Sequence, residues 1–193
     1  DGLARAYSIA SRTEGSPDLL ELHVRVLTGG QMSGWLAGPA AADAVVHVRG
    51  ALGDCFYVPG EPERPLVLVG TGTGLAPLWG VLQDALASGH TGPIELWHGA
   101  RDASGLYLER ELAALAQAWP QLRYRRCVLE GSGGAELDVG RLDTLVLDKL
   151  PSFAGRRVYL CGDPALVQRL KRQAFLRGAS LREIHADAFV GAP

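Results

Sequence analysis

The sequence predicts an α/β fold: a five-stranded parallel, doubly wound domain over residues 61–193, preceded by a partial antiparallel β-barrel over residues 1–60. Three observations carry this reading. From Pro65 onward, short apolar runs alternate with longer helical patterns, the signature of βαβ units. The first run ends in Gly70-Thr71-Gly72-Thr73-Gly74, a glycine-rich strand-to-helix turn. Before residue 60, Leu20–Val26 and Val45–Arg49 alternate apolar and polar residues, as half-buried antiparallel strands do.

In chain order, the first parallel strand is Pro65–Val69, followed by a helix over Ala76–Ala87 that Ser88-Gly89 stops. The second strand is Ile94–His98, and a helix over Leu108–Ala118 is closed by Pro120. Leu122–Leu129 and Arg157–Cys161 are the third and fourth strands. Asp163 then serves as N-cap and Pro164 as the first helical residue of a helix ending near Gly178. Leu181–Ala186 is the fifth strand, leaving a tail with Phe189. The antiparallel piece lacks the strands that close a barrel, so strands are expected upstream or a second chain is expected to cover the edge.

Composition excludes several classes. The 193 residues are 47% hydrophobic and 21% charged, with a net charge of −2 and a pI near 6.2. No basic excess exists to neutralise a nucleic-acid backbone. The longest apolar runs, Pro65–Val69 and Leu142–Leu147, are too short to span a membrane, and no charged-then-apolar leader opens the chain, so a cytoplasmic protein is expected. Cys55, Cys127 and Cys161 form no Cys-x-x-Cys pair, and the five histidines show no ligand spacing. Metal is therefore not expected, and any redox cofactor must be organic or come from elsewhere.

Ligands of open parallel sheets bind beyond the carboxyl ends of the strands, where strand order reverses. The two loops to watch there are Gly70–Gly74 and Cys161-Gly162-Asp163-Pro164. Glycines let the backbone approach a pyrophosphate, and helix-start N–H groups favour its charge. Leu75 occupies the third glycine position of a Gly-x-Gly-x-x-Gly fingerprint, so by itself the loop reads equally as a tight turn without ligand. Cys161 by itself reads as a packing cysteine. In the N-terminal piece, Arg5-Ala6-Tyr7-Ser8 sets a guanidinium, an aromatic face and a hydroxyl close together, groups able to clamp phosphate, stack on a planar ring and bond a ring nitrogen.

Together these segments resemble the ferredoxin–NADP reductase superfamily, above all the reductase components of bacterial aromatic-ring and phenol-type oxygenases. The family's Arg-x-Tyr-Ser is similar to Arg5-Ala6-Tyr7-Ser8, and its flavin-phosphate Gly-x-x-Ser/Thr to Gly30-Gln31-Met32-Ser33, preceded by the strand His23-Val24-Arg25-Val26. Its Gly-Pro-x-Gly-x-Phe turn is similar to Gly50–Phe56, with Ala51 for proline and one extra residue before the aromatic. Its Gly-x-Gly-x-Gly-x-x-Pro corresponds to Gly70–Pro77, Gly-x-Arg to Gly99-Ala100-Arg101, and Cys-Gly-x-Pro to Cys161–Pro164. The ending Ile184–Phe189, with Asp187 before the aromatic, also resembles the family's.

The resemblance implies FAD and NADH or NADPH as cofactors, and a one-electron acceptor protein or fused iron–sulfur domain as partner. It assigns Tyr7 to stack on the isoalloxazine, Ser8 to bond near its N5, and Arg5 with Gly30, Gln31, Met32 and Ser33 to hold the FAD pyrophosphate. His23, Val24, Arg25 and Phe189 fall in its flavin-contacting segments, and Gly70, Thr71, Gly72, Thr73, Gly74 and Pro77 in its pyridine-nucleotide loop. Cys161, with Gly162 and Asp163, is implied beside the nicotinamide, and Asp187 as a nearby charge or hydrogen-bond acceptor. Ser8, Cys161 and Asp187 are thus the expected catalytic group. Arg101 would suit a 2′-phosphate and Asp102 a 2′-hydroxyl, or Arg101 is simply solvated; the oxygenase-reductase likeness points to NADH. Only four residues precede Arg5, where the family's FAD-binding barrel has several strands. The competing reading is therefore a non-catalytic nucleotide-binding or assembly module that no longer retains FAD. A generic Rossmann dehydrogenase lacks both the third glycine and an assignable catalytic pair.

Overall fold

The computed structural model describes residues 3–12, 18–134 and 136–189. Its centre is a six-stranded, all-parallel sheet in the order β4-β3-β2-β1-β5-β6. The strands are β1 (Leu66–Thr71), β2 (Ile94–Ala100), β3 (Leu122–Val128), β4 (Leu137–Val139), β5 (Arg157–Gly162) and β6 (Ile184–Ala188). The helices are α1 (Gln31–Leu36), α2 (Leu75–Ala87), α3 (Glu109–Ala118), α4 (Leu142–Lys149) and α5 (Pro164–Leu176).

Alternation along the central strands sorts the core into two layers. Leu66 and Leu68 of β1 join Leu78, Val81 and Leu82 of α2 and Leu112 of α3. Val67 and Val69 face the other way, onto Val146 of α4 and Leu166, Val167 and Leu170 of α5. A strand buried on both faces must be apolar at every position, which is why Leu66–Val69 reads as a continuous run. The strand order grows outward in both directions from β1 and β5, so the switch point lies between these two strands.

Three departures from the sequence expectation have local causes. The sheet has six strands, because Leu137–Val139 pairs with Arg126–Val128 at the edge; three residues are too short for alternation to show. Leu142–Lys149 forms α4, the crossover into β5, where the sequence shows only an apolar run. The last strand begins at Ile184, because Leu181–Glu183 is a 3-10 turn. Among the described residues before Leu66 no strand forms: a single antiparallel bridge joins Ile9 and Leu22. Val45, Val46 and Val48 carry the alternation of a strand but stay 88%, 57% and 68% exposed, because they have no ladder partner there.

At the opposite end of the sheet from the switch-point loops, Arg157 at the start of β5 is buried. Its Nε bonds Glu183 at 2.6 Å, its Nη2 bonds Glu61 at 3.0 Å, and its Nη1 donates to the Val58 carbonyl at 2.7 Å. Arg157→Met is expected to cost about 1–3 kcal/mol, since it takes the donor from the Val58 carbonyl and removes one of the two arginines that Glu61 and Glu183 share. Urea denaturation checks this through a lower midpoint with an unchanged slope.

Candidate functional site

The carboxyl ends of β1 and β5 meet at the switch point, with Gly70 paired to Cys161. Closure depends on missing side chains. A Cβ on Gly74 would lie 2.4 Å from the Cys161 carbonyl oxygen, and one on Gly70 2.9 Å from the Gly74 carbonyl. Gly162 adopts φ +112°, and a Cβ there would strike the Thr71 hydroxyl at 2.5 Å. The Thr71 hydroxyl instead accepts the Asp163 N–H at 3.0 Å, tying the two loops together. Asp163 caps α5 by accepting the Leu166 N–H at 2.8 Å. Gly72 to Gly74 form a 3-10 turn with Thr73 half-buried, and Pro77 is buried in the first turn of α2.

The N-terminal segment reaches this switch point. The Ser8 hydroxyl donates to Asp187 at 2.8 Å, and Asp187 of β6 lies in register with Cys161 of β5. The three residues expected to be catalytic are therefore brought together although Ser8 and Asp187 stand 179 positions apart. Phe189 follows, half-buried, its N–H donating to the Gly162 carbonyl at 2.8 Å. Tyr7 is half-buried beside Ser8, while Arg5 is exposed and, among the described residues, bonds only the neighbouring Ala4 carbonyl at 2.8 Å.

His23 is half-buried between Glu21 at 2.8 Å and the Tyr107 hydroxyl at 2.9 Å. Val24 is half-buried next to it. Arg25 crosses to the glycine loop, where a Cβ on Gly72 would lie 2.0 Å from its Nη2. It makes no ion pair among the described residues. In the flavin-phosphate segment, Gly30 caps the short α1, with Gln31 exposed and Met32 half-buried. Ser33 is buried, and its hydroxyl accepts the Leu27 N–H at 3.1 Å, so it shapes the turn. Arg101 and Asp102 lie apart from this cluster, beyond β2: exposed Arg101 pairs with Glu130 at 3.3 Å, and Asp102 accepts the Ser104 N–H at 2.9 Å. A bond from the Ser104 hydroxyl at 2.5 Å, together with that N–H, holds the Asp102 carboxyl below its usual range.

Sequence reading missed four neighbours of these residues. Cys55 stands with its sulfur 3.3 Å from that of Cys161; only its place in the Gly50–Phe56 turn marked it. Tyr107 is set by Leu108, which takes φ +54° at the start of α3, a conformation costly for a leucine and invisible in the sequence pattern. The Tyr107 ring meets both His23 and His98 edge-on. His98 is fully buried, with Nδ1 3.3 Å from the Tyr124 hydroxyl and Nε2 without a partner among the described residues. Burial drops its imidazole to about 4. Glu130 could be found only once β2 and β3 were paired. Burial, with smaller additions from the Cys55 and Asp187 charges, also raises the Cys161 thiol, and the bond to Cys55 raises it most.

A parallel sheet with two glycine loops closed over its switch point defines a dinucleotide-binding α/β protein. Residues 68–172 match the oxidoreductase NAD-binding domain, and residues 1–57 match the oxidoreductase FAD-binding domain. The chain belongs to the oxidoreductase NAD-binding domain family. It is 36% identical over 185 residues to a Ralstonia ferredoxin–NAD(P)+ reductase component of naphthalene 1,2-dioxygenase/salicylate 5-hydroxylase systems, covering 96% of this chain and 56% of that protein. It is 37% identical over 195 residues to the reductase subunit of an Amycolatopsis aromatic O-demethylase, covering 99% and 58% respectively. An Amycolatopsis cytochrome P450 reductase structure superposes with a TM-score of 0.79 at 34% identity, covering 95% of this chain and 55% of that one. The chain thus spans a little over half the length of these relatives. Among the described residues no helix is long and apolar enough to cross a membrane.

Gly74→Ala is expected to cost about 2–3 kcal/mol, because the new methyl meets backbone that cannot rotate away. Gly34→Ala, where a Cβ meets nothing within 4 Å, is the neutral comparison in the same denaturation series. His98 generates a pH dependence. The unfolded imidazole titrates near 6.5 and the folded one near 4, so the unfolded state binds more protons between these values and stability falls as pH is lowered across them. The loss is up to about 3 kcal/mol. It is expected to be absent from the His98→Phe stability curve and so to appear as the difference between the wild-type and variant curves.

Proposed function

We propose that this chain is the flavin-contacting and nicotinamide-binding part of an FAD-dependent NAD(P)H reductase, with residues 1–60 forming the flavin half and 61–193 the pyridine-nucleotide half. It takes a hydride from NAD(P)H and passes single electrons to a ferredoxin, an iron–sulfur domain or an oxygenase. The observation that carries the reading is the meeting of Ser8, Asp187 and Cys161 at the switch point. The names of its relatives, reductase components and subunits of oxygenase and demethylase systems, support it, and a cytoplasmic location is part of the same reading.

The residues fit both cofactors. Arg5 has one local bond and a guanidinium open to solvent, as a phosphate clamp requires. A side chain at Gly72 would strike the Arg25 guanidinium and one at Gly74 the Cys161 carbonyl, so both glycines let a cation and a second loop close on this turn. Bound FAD supplies the conversion from two-electron to one-electron chemistry. The chain's part is positioning and electrostatics. Ser8 donates its hydroxyl hydrogen bond to Asp187 and keeps its oxygen lone pairs for an N–H donor. Asp187 is held in one orientation by that bond. Cys161 stays a neutral thiol, so it packs against a dihydronicotinamide ring without adding charge. Gly70 to Gly74, with Gly162 and Asp163, receive the dinucleotide. Glu130 beside Arg101 offsets the charge that a 2′-phosphate would seek, which favours NADH.

The test is the visible spectrum after incubation with FAD and gel filtration, followed by anaerobic addition of NADH or NADPH. Flavin bands that co-elute and bleach, faster with NADH, are the expected result. A colourless protein would overturn the reductase reading and favour a nucleotide-binding or assembly module.

A further inference from the structure

Cys55 and Cys161 are 106 positions apart, yet their sulfurs are 3.3 Å from each other and both are free thiols. The approach is built into the backbone on both sides of Cys55. The Asp54 carbonyl accepts from His185 Nδ1 at 2.9 Å, and the Phe56 carbonyl accepts the Tyr159 hydroxyl at 3.1 Å. His185 and Tyr159 lie on β6 and β5, and their rings stack at 4.8 Å. Cys55 is therefore pinned over the end of β5 by its two neighbours, with its sulfur half-buried above the fully buried Cys161. Cys127 stands on the other face of the sheet, in the α4–α5 core, where burial pushes its thiol up to about 12.

We propose that Cys55 and Cys161 form a thiol-oxidation site at the switch point, closing to a reversible intrachain disulfide with hydrogen peroxide as the oxidant. Cys55, the accessible member, attacks one peroxide oxygen and becomes a sulfenic acid, releasing one water. The Cys161 sulfur then attacks the Cys55 sulfur, the S–O bond breaks, and the Cys161 proton leaves with the hydroxyl as a second water. Two thiols lose two electrons and two protons, and one peroxide is reduced to two waters. The raised, buried Cys161 thiol is a poor first nucleophile, which leaves the attack on peroxide to the accessible Cys55. The bond would tie the segment after the flavin half to β5 and move the Cys161 sulfur off its packed position. The consequence for hydride transfer rests on the reductase reading; bond formation does not.

The protein, reduced with dithiothreitol and freed of it, is treated with hydrogen peroxide, denatured in the presence of an alkylating agent and mapped by mass spectrometry without reduction. The expected result is that two of the three thiols disappear, a peptide pair linked through Cys55 and Cys161 appears, Cys127 is alkylated in full, and dithiothreitol restores all three. Cys55→Ser is expected to give no linked pair and to leave Cys161 alkylatable. Three persisting thiols, or Cys55 as sulfinic acid with Cys161 still free, would overturn the site. In FAD-loaded protein, NADH-driven bleaching is expected to slow at least fivefold on oxidation and to recover with dithiothreitol, and Cys55→Ser not to respond. A disulfide that forms with no change in that rate would overturn its role as a switch.

Discussion

The approach of the Gly74 backbone to the Cys161 carbonyl is the contact on which the rest of the site depends. Two parallel strands can bring their carboxyl ends together only if the loops leaving them do not collide. Here each loop gives up a side chain where the other passes, at Gly70, Gly74 and Gly162. Once closed, the loops are tied by a bond from the Asp163 N–H to the Thr71 hydroxyl. Both helices that leave them, α2 and α5, then start beside the same gap.

The second constraint is how the first 60 residues are held against the sheet. Ala10 is fully buried, its carbonyl passing close enough to α2 that a Cβ on Gly80 would sit 3.3 Å from it. Ser8 bonds β6, His23 bonds Tyr107 ahead of α3, and the backbone flanking Cys55 bonds side chains of β5 and β6. Each bond contributes only about 0.5–1.5 kcal/mol. Their value is geometric, since they set one polar hydroxyl, one carboxylate and two thiols around the end of a single strand. Polar groups do this better than apolar ones, because hydrogen bonds have direction and hydrophobic contact does not.

Much of the fold was legible in the residues. β1, β2 and β5 are largely apolar because central parallel strands are buried on both faces, and α5 announces itself through Asp163 and Pro164. β4 was not legible, being three residues at an edge, nor was the 3-10 turn at Leu181–Glu183, whose apolar Leu181 looks like a strand start. Val45, Val46 and Val48 show the limit from the other side: alternation states which face a strand would bury, but a ladder needs a partner.

Of the site, the sequence by itself determined the chemistry available: a serine, a carboxylate, a cysteine and two glycine loops, because these are matters of residue type and local spacing. Only the tertiary structure decided that Ser8 meets Asp187, that Cys55 meets Cys161 and that Glu130 meets Arg101. The physical reason is that strand order is a long-range property. Placing β5 beside β1, rather than beside β4 that precedes it, is what carries residues more than a hundred positions apart to one switch point, and no periodicity within a strand records that choice.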